Sequence, residues 1–304
     1  MEVVAITGLT GKSGGWMLQR MLREQELLND YYFKVAVQET SNTKCFSNVQ
    51  FNYEFVVGNL KDEDYLKKLC FGIDTLFHIA GIDKSLLLVQ AAVKAGVKRI
   101  VLVHTTGIYS KYKEAGELYR HIENTIAAMI EGKDISITIL RPTMIYGNLK
   151  DGNISVFIRM VDKLRVFPVV DHANYALQPV WAKDLGEAYY QVLINPTLTK
   201  NKDYILSGGA EILLIDIFRT IGNYLCKKNK FISIPYHIAY VGAWCLYCFT
   251  FGQRDFREKV QRLVEQRVFS HQAATKDFGY NPATFEVGVK AEIEEYIKMT
   301  RTSN

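Results

Sequence analysis

Val3-Val4-Ala5-Ile6-Thr7-Gly8-Leu9-Thr10-Gly11-Lys12-Ser13-Gly14-Gly15 is the stretch on which the fold turns. Its first four residues are apolar and largely β-branched, as expected of a short strand covered on both faces. Beyond the glycines, Met17, Leu18, Met21 and Leu22 recur at helical spacing. The order is therefore strand, glycine turn, helix. Gly8, Gly11 and Gly14 fall as G-x-x-G-x-x-G. One glycine permits the tight turn, one lets backbone approach a diphosphate, and one lets the helix sit close to the strand. The amides and dipole at the start of the helix favour an anion there. A rival reading takes Gly11-Lys12-Ser13 as the end of a nucleotide-triphosphate loop, G-x-x-x-x-G-K-[ST]. That motif needs a glycine at position 6, where Ile6 stands inside the strand.

Outward from this turn the alternation continues. Phe33–Val37, Phe55–Val57, Asp74–Gly81 and Arg99–His104 read as further strands. Asp62–Cys70 and Leu86–Ala95 read as helices, the second stopped by Gly96. This rhythm predicts an α/β fold with a doubly wound, parallel Rossmann-type sheet and right-handed crossovers. Past Gly147 the pattern is less regular. Asp151–Lys163, Asp216–Lys227 and Glu286–Lys298 read as helices, and Phe167–Val170 as a short loop or strand. Gln178–Asp184 and Tyr204–Ser207 read as strands returning to the sheet. The expected organisation is a dinucleotide-binding domain over 1–146, rejoined by 176–207. A smaller, discontinuous substrate lobe takes 147–175 and 208–304.

Composition narrows the function. Of 304 residues, 48% are hydrophobic and 23% charged, the balance of a globular chain. The net charge of +5 is dispersed, which argues against a nucleic-acid stripe and suits an anionic small molecule. Five cysteines, an odd number, imply reduced thiols. Cys245 and Cys248 form one CxxC without a second ligand pair, so buried core thiols are the expectation and no metal is expected. The chain enters a strand at once, so no targeting segment and a cytoplasmic location are expected. Phe231–Gly252 is apolar and aromatic, but past Pro235 it runs only about 17 residues, which is marginal for spanning a bilayer. A buried or interface helix, as in a homodimer, is favoured there. A lid over a hydrophobic substrate, or membrane-surface contact through 236–252, are the alternatives.

The residues resemble the short-chain dehydrogenase/reductase superfamily, in its extended and atypical, epimerase/dehydratase-like form. Thr7–Gly14 is similar to TGxTGxxG, and Gly58-Asn59-Leu60 stands where that family has G-D-L. Asp74–Gly81 resembles D-x-V-F-H-x-A-G, and Thr105-Thr106-Gly107-Ile108-Tyr109 resembles S-S-x-x-V-Y. Leu140–Gly147 resembles L-R-P-x-x-V-Y-G, and Gln178–Leu185 resembles F-V-x-V-x-D-L. Phe278–Pro282 is similar to L-G-Y-x-P, and Phe285–Gly288 to F-x-E-G. The likeness spans nearly the whole chain in order. It implies a cofactor of the NAD(P) class. Gly8, Thr10, Gly11, Ser13 and Gly14 would hold the pyrophosphate, and Asn59 and Leu60 would flank the adenine. Ala80 and Gly81 would meet the ribose and diphosphate, with Pro142 and Met144 near the nicotinamide. At the tip of the second strand, Gln38 could bond either cofactor, and Glu39 favours NAD if it faces the ribose.

The resemblance also implies a catalytic Ser or Thr after the fifth strand, plus a Tyr and a Lys on one helical face, where the ammonium lowers the phenol's pKa. Thr105 or Thr106 can supply the hydroxyl, with Thr106 taken as catalytic and Thr105 as a cofactor contact. The pair is the departure. Tyr109–Lys113 satisfies Y-x-x-x-K but follows the strand too closely. Tyr119 lies at a suitable distance, yet Glu123 stands where Lys should be. In the alternative register Glu123 matches a glutamate one turn later, and Tyr119 replaces the Lys. With Tyr119 as the candidate acid or base, an oxidoreductase, epimerase or dehydratase acting on a small molecule such as a nucleotide sugar is expected. The competing expectation is a dinucleotide-responsive sensor without turnover. Tyr146, Asn153 and Gln178 are the expected substrate contacts.

Overall fold

A computed structural model describes residues 1–112 and 114–302. Its central sheet begins with β1 (Glu2–Thr7), β2 (Tyr31–Val37), β3 (Asn52–Val57), β4 (Thr75–His78), β5 (Arg99–Val103) and β6 (Ser136–Pro142). Short strands β7 (Ile145–Tyr146), β8 (Val166–Val170), β9 (Ala176–Leu177) and β10 (Val180–Trp181) follow. Then come β11 (Lys202–Leu206), β12 (Ile212–Leu213) and β13 (Lys230–Ile234). The order β11-β6-β5-β4-β1-β2-β3 is parallel throughout. β1 therefore sits beside both β2 and β4. The strand order reverses there, which is where such sheets open a ligand crevice.

The helices are α1 (Lys12–Met21), α2 (Glu63–Cys70), α3 (Ser85–Lys94) and α4 (Ala115–Ile130) in the first half. After them come α5 (Ile154–Lys163), α6 (Ala182–Ile194), α7 (Pro196–Thr199), α8 (Leu214–Tyr224), α9 (Tyr236–Phe249), α10 (Arg257–Leu263), α11 (Gln272–Phe278) and α12 (Phe285–Thr302). Every residue of β4 and β5 is buried, as two-sided cover requires. One apolar layer joins Met17, Leu18 and Met21 of α1 to Leu185, Tyr189 and Leu193 of α6. The opposite layer holds Leu66 and Leu69 of α2, Leu88 and Ala92 of α3, and Ile122 and Ile126 of α4. A third cluster draws on Tyr146, Ile154, Ile158, Phe218, Phe285 and Ile293, all from Tyr146 onward.

Several boundaries differ from the sequence reading. Asp62 caps α2, accepting from Asp64 N and Tyr65 N, rather than lying within the helix. The Asp151 carboxylate accepts from Asn153 N and Ser155 N, so α5 starts only at Ile154. Gln178–Asp184 is not one strand: β10 keeps two residues, and α6 begins at Ala182. The apolar Phe231–Gly252 splits, its start lying in β13 beside β8 and Tyr236–Phe249 forming α9, of which only Ala243 is buried. Cys248 is exposed and Cys245 half-buried, so neither is a core thiol.

α1 and α6 touch backbone to backbone. A Cβ on Gly186 would lie 2.5 Å from the Trp16 carbonyl carbon and 2.6 Å from Met17 N. Gly186→Ala should therefore push the two helices apart and cost about 1–3 kcal/mol. Equilibrium urea unfolding of the variant checks this, with the half-buried Gly15→Ala as a control whose Cβ meets nothing.

Candidate functional site

The mouth of the switch point is a cleft of about 730 Å³. Its floor is the glycine turn. Gly8 has φ +78, and a Cβ there would lie 2.9 Å from Ala80 N of the loop after β4. A Cβ on Gly14 would lie 2.1 Å from the Gly8 carbonyl oxygen, and one on Gly11 3.0 Å from it. Gly11 N also donates to that oxygen at 2.9 Å. Gly11 caps α1 without a side-chain hydrogen bond, which leaves first-turn N–H groups for an anion.

His78 locks the facing loop. Its Nε2–H donates to the Gly81 carbonyl at 2.9 Å, and Nδ1 accepts from the Thr7 hydroxyl at 2.7 Å. Full burial pushes the ring's pKa down to about 4, so it holds these bonds as the neutral tautomer.

Of the residues expected from the sequence, Gly8, Thr10, Gly11, Ser13, Gln38, Leu60, Ala80, Gly81, Thr105, Thr106 and Met144 line this one cleft. Gly14, Asn59, Pro142 and Tyr119 are not among its lining residues. Gly14 lies beneath the turn against Gly8. Asn59 turns its Oδ1 back to Lys61 N at 3.0 Å, and Pro142 takes the Thr106 hydroxyl on its carbonyl at 3.2 Å. Tyr119 packs against the apolar layer of α2, α3 and α4. Asn153 and Gln178 line the cleft, whereas Tyr146 is core, 1% exposed, with its hydroxyl on the Phe285 carbonyl. Lys113 lies outside the described residues.

Glu123 has a different task from the one its spacing suggests. Its carboxylate accepts from His104 Nδ1 at 2.8 Å and from Arg141, which also bonds Asp203 at 2.9 Å. Burial pushes the Glu123 carboxyl up, but the His104 and Arg141 hydrogen bonds outweigh it and hold it below its ordinary value.

Sequence reasoning missed one wall of the cleft, lined by Arg262 near the end of α10 and by Glu265, Gln266, Arg267 and Phe269 of the segment that follows it. Glu265 clasps the loop after β5, accepting from Ser110 Oγ at 2.7 Å and Lys111 N at 2.8 Å. Gln178 Oε1 holds Phe269 N at 3.0 Å, and Phe269 packs on Tyr109 with centroids 5.8 Å apart. Burial pushes Arg267 down to about 10, which still leaves it a cation at neutral pH. No hydrophobic period marks these residues, because their order comes from distant partners. Lys12, Lys84, Arg262 and Arg267 set four cations around the cleft against Asp151 and Glu265. Among the described residues no His, Cys, Asp or Glu group is placed to hold a metal.

This strand order and glycine cradle define a Rossmann-type dinucleotide fold. Within it, the chain belongs to the NmrA-like family, whose model matches residues 1–240. A UDP-glucose 4-epimerase of Vibrio cholerae is 19% identical over 328 residues, covering 97% of this chain and 95% of that protein. Among solved structures, UDP-glucose 4-epimerase from Thermotoga maritima with UDP-glucose has a TM-score of 0.70 at 15% identity. That match covers 98% of this chain and 99% of the other. An NADPH-dependent quinone oxidoreductase from Escherichia coli has a TM-score of 0.68 at 15% identity, over 95% of this chain and 99% of that one.

One carboxyl pair supports the cleft wall. Glu292 is 2% exposed, and its Oε2 accepts from Gly147 N at 3.0 Å. Its Oε1 and the Asp151 Oδ2 are both buried without a donor, and a proton shared between them satisfies both. Burial, reinforced by the Asp151 charge, pushes Glu292 up to about 8 from an ordinary 4.5. A raised carboxyl binds its proton more tightly in the folded chain. Its stabilisation is complete below pH 4.5 and is lost as pH rises through 8. The urea midpoint should thus fall between about pH 6 and about pH 9 in the native chain, and Glu292→Gln should flatten that fall.

Proposed function

We propose that the protein is an NAD(P)-dependent oxidoreductase acting on an anionic small molecule through Thr106 and Tyr109, without a Tyr–Lys pair on one helix. The observation that carries this is their place in a single cleft with the glycine cradle and Arg267. The cradle suits a dinucleotide, because the space that Cβ atoms would fill at Gly8, Gly11 and Gly14 is already taken by backbone. Gly8, Gly11, Ser13 and the first-turn amides of α1 would hold the pyrophosphate, with Lys12 beside it. Leu60, Ala36, Gln38 and Ser41 would receive the adenosine end. At the tip of β2 the lining residues are Gln38 and Ser41, not Glu39. No carboxylate stands there against a 2′-phosphate, so both NAD and NADP fit.

When bound, the nicotinamide supplies a hydride donor or acceptor. The chain's own groups do the rest. Thr106 orients a substrate oxygen, and the Tyr109 phenol holds or delivers a proton at that oxygen. Gln178 and Phe269 close the far wall, while Arg262 and Arg267 attract the substrate's negative charge. A nucleotide sugar meets these demands, in keeping with the named activities of the epimerase relatives.

A second reading, a dinucleotide-responsive protein without turnover, has one observation in its favour. The lysines lining the cleft, Lys12 and Lys84, both stand on the glycine-turn side rather than beside Tyr109.

Titration calorimetry should show binding of both NADH and NADPH, and a screen over nucleotide sugars, quinones and small carbonyls should show turnover. Thr106→Ala and Tyr109→Phe should each lower kcat by roughly 10²-fold with cofactor affinity retained. Arg267→Ala should raise KM by about tenfold or more with kcat held. Tight dinucleotide binding with no turnover on any substrate would decide for the second reading.

A further inference from the structure

α9 packs inward through tyrosines and alanines: Tyr236, Ala239, Tyr240, Ala243 and Tyr247 recur at helical spacing and are half-buried or buried, as Cys245 also is. Outside that face, Ile238, Val241 and Phe249 stand opposite it and Trp244 and Leu246 on its two flanks, at 64%, 56%, 82%, 51% and 38% exposure. A globular helix ordinarily places its apolar stripe on the core. No residue from Tyr236 to Phe249 is Asp, Glu, Lys or Arg. The helix ends in a tight reversal at Phe251 and Gly252, both at positive φ, that holds Phe251 out at 94% exposure. Exposed Phe256 follows.

We propose that this face docks on the surface of an anionic phospholipid bilayer, with α9 lying in the interface and Trp244, Phe249 and Phe251 inserted. The helix is 14 residues long, or about 21 Å, which is too short to cross a hydrocarbon core. Its rim is basic. Arg257 neutralises Asp255 at 2.6 Å and Arg262 faces Glu258 at 3.6 Å, whereas exposed Arg254 and Lys259 have no carboxylate partner among the described residues. Lys259 Nζ lies 5.0 Å from the Phe256 ring centre, so cation and apolar tip share one edge. This combination fits phosphate headgroups above acyl chains.

Flotation with vesicles of phosphatidylglycerol in phosphatidylcholine, against phosphatidylcholine alone, tests the docking on the full chain. The native protein should float with the anionic vesicles and be released by salt. Phe249→Glu and Phe251→Glu should each weaken binding on the order of tenfold or more. Arg254→Gln with Lys259→Gln should weaken it roughly fivefold per charge. All four positions are exposed, so thermal unfolding should be unchanged. Three results overturn the proposal: no flotation with anionic vesicles, equal flotation by the Phe variants, or a native dimer that Phe249→Glu converts to monomer without any vesicle binding.

Discussion

Backbone contact at the glycine turn is the constraint on which the rest of the cleft depends. Gly14 lies so close to the Gly8 carbonyl that a single methyl group would sit 2.1 Å from it. Gly8 itself touches the loop after β4 at Ala80. Strand, turn, helix and neighbouring loop therefore form one rigid unit, and the crevice between β1 and β4 has its depth because no side chain enters there. Two glycines in the first turn of α1 cost about 1 kcal/mol each in helix propensity. That cost is offset by Met17, Leu18 and Met21, all fully buried beneath α6 and each contributing about 1.5–3 kcal/mol. Gly186 extends the same economy of space to the helix–helix contact.

Buried histidines serve that unit in two places. His78 links Thr7 of β1 to the Gly81 carbonyl, so the cradle and the facing loop cannot shift separately. His104 accepts from Ser85 at the start of α3 and donates to Glu123 of α4. Both rings are pushed below their ordinary pKa by burial, and a neutral ring is what lets one nitrogen donate while the other accepts.

The part of this architecture that a reader of the sequence could see was the part encoded locally. The β1 turn, the alternation through β5 and α3, and the cradle residues follow from glycine spacing and apolar period. α6 was partly misread because Val180-Trp181 runs without a break into helical Ala182–Ile194. Arg262, Arg267 and Phe269 were invisible for a different reason. They reach the cleft through Gln178 and the β9 backbone, about ninety residues away in sequence, and no periodicity records such a partner. α9 is not buried within the chain, because apolar composition states a preference for burial, not the availability of a surface to bury against.

Glu123 explains why the expected helix pair is absent. A guanidinium inside the sheet edge, 6% exposed at Arg141, demands carboxylate partners, since an unpaired buried charge is far costlier than a paired one. Glu123 and Asp203 meet that demand, and His104 takes a further bond on the same Glu123 oxygen. A lysine at 123 would place a second cation against Arg141. The helix position that would carry an ammonium toward a phenol is thus occupied by the residue that neutralises the sheet. Arg141 also lies 5.8 Å from the Tyr109 ring centre, so the same cation that excludes a lysine from α4 stands behind the tyrosine that does reach the cleft. Tyr109 is held there from three sides: Arg120 donates to the Ile108 carbonyl at 2.9 Å, Glu265 binds Ser110, and Phe269 packs on the ring. The geometry of this end of the cleft accordingly rests on two loops clasped together rather than on one helix face, and it is only as rigid as that clasp.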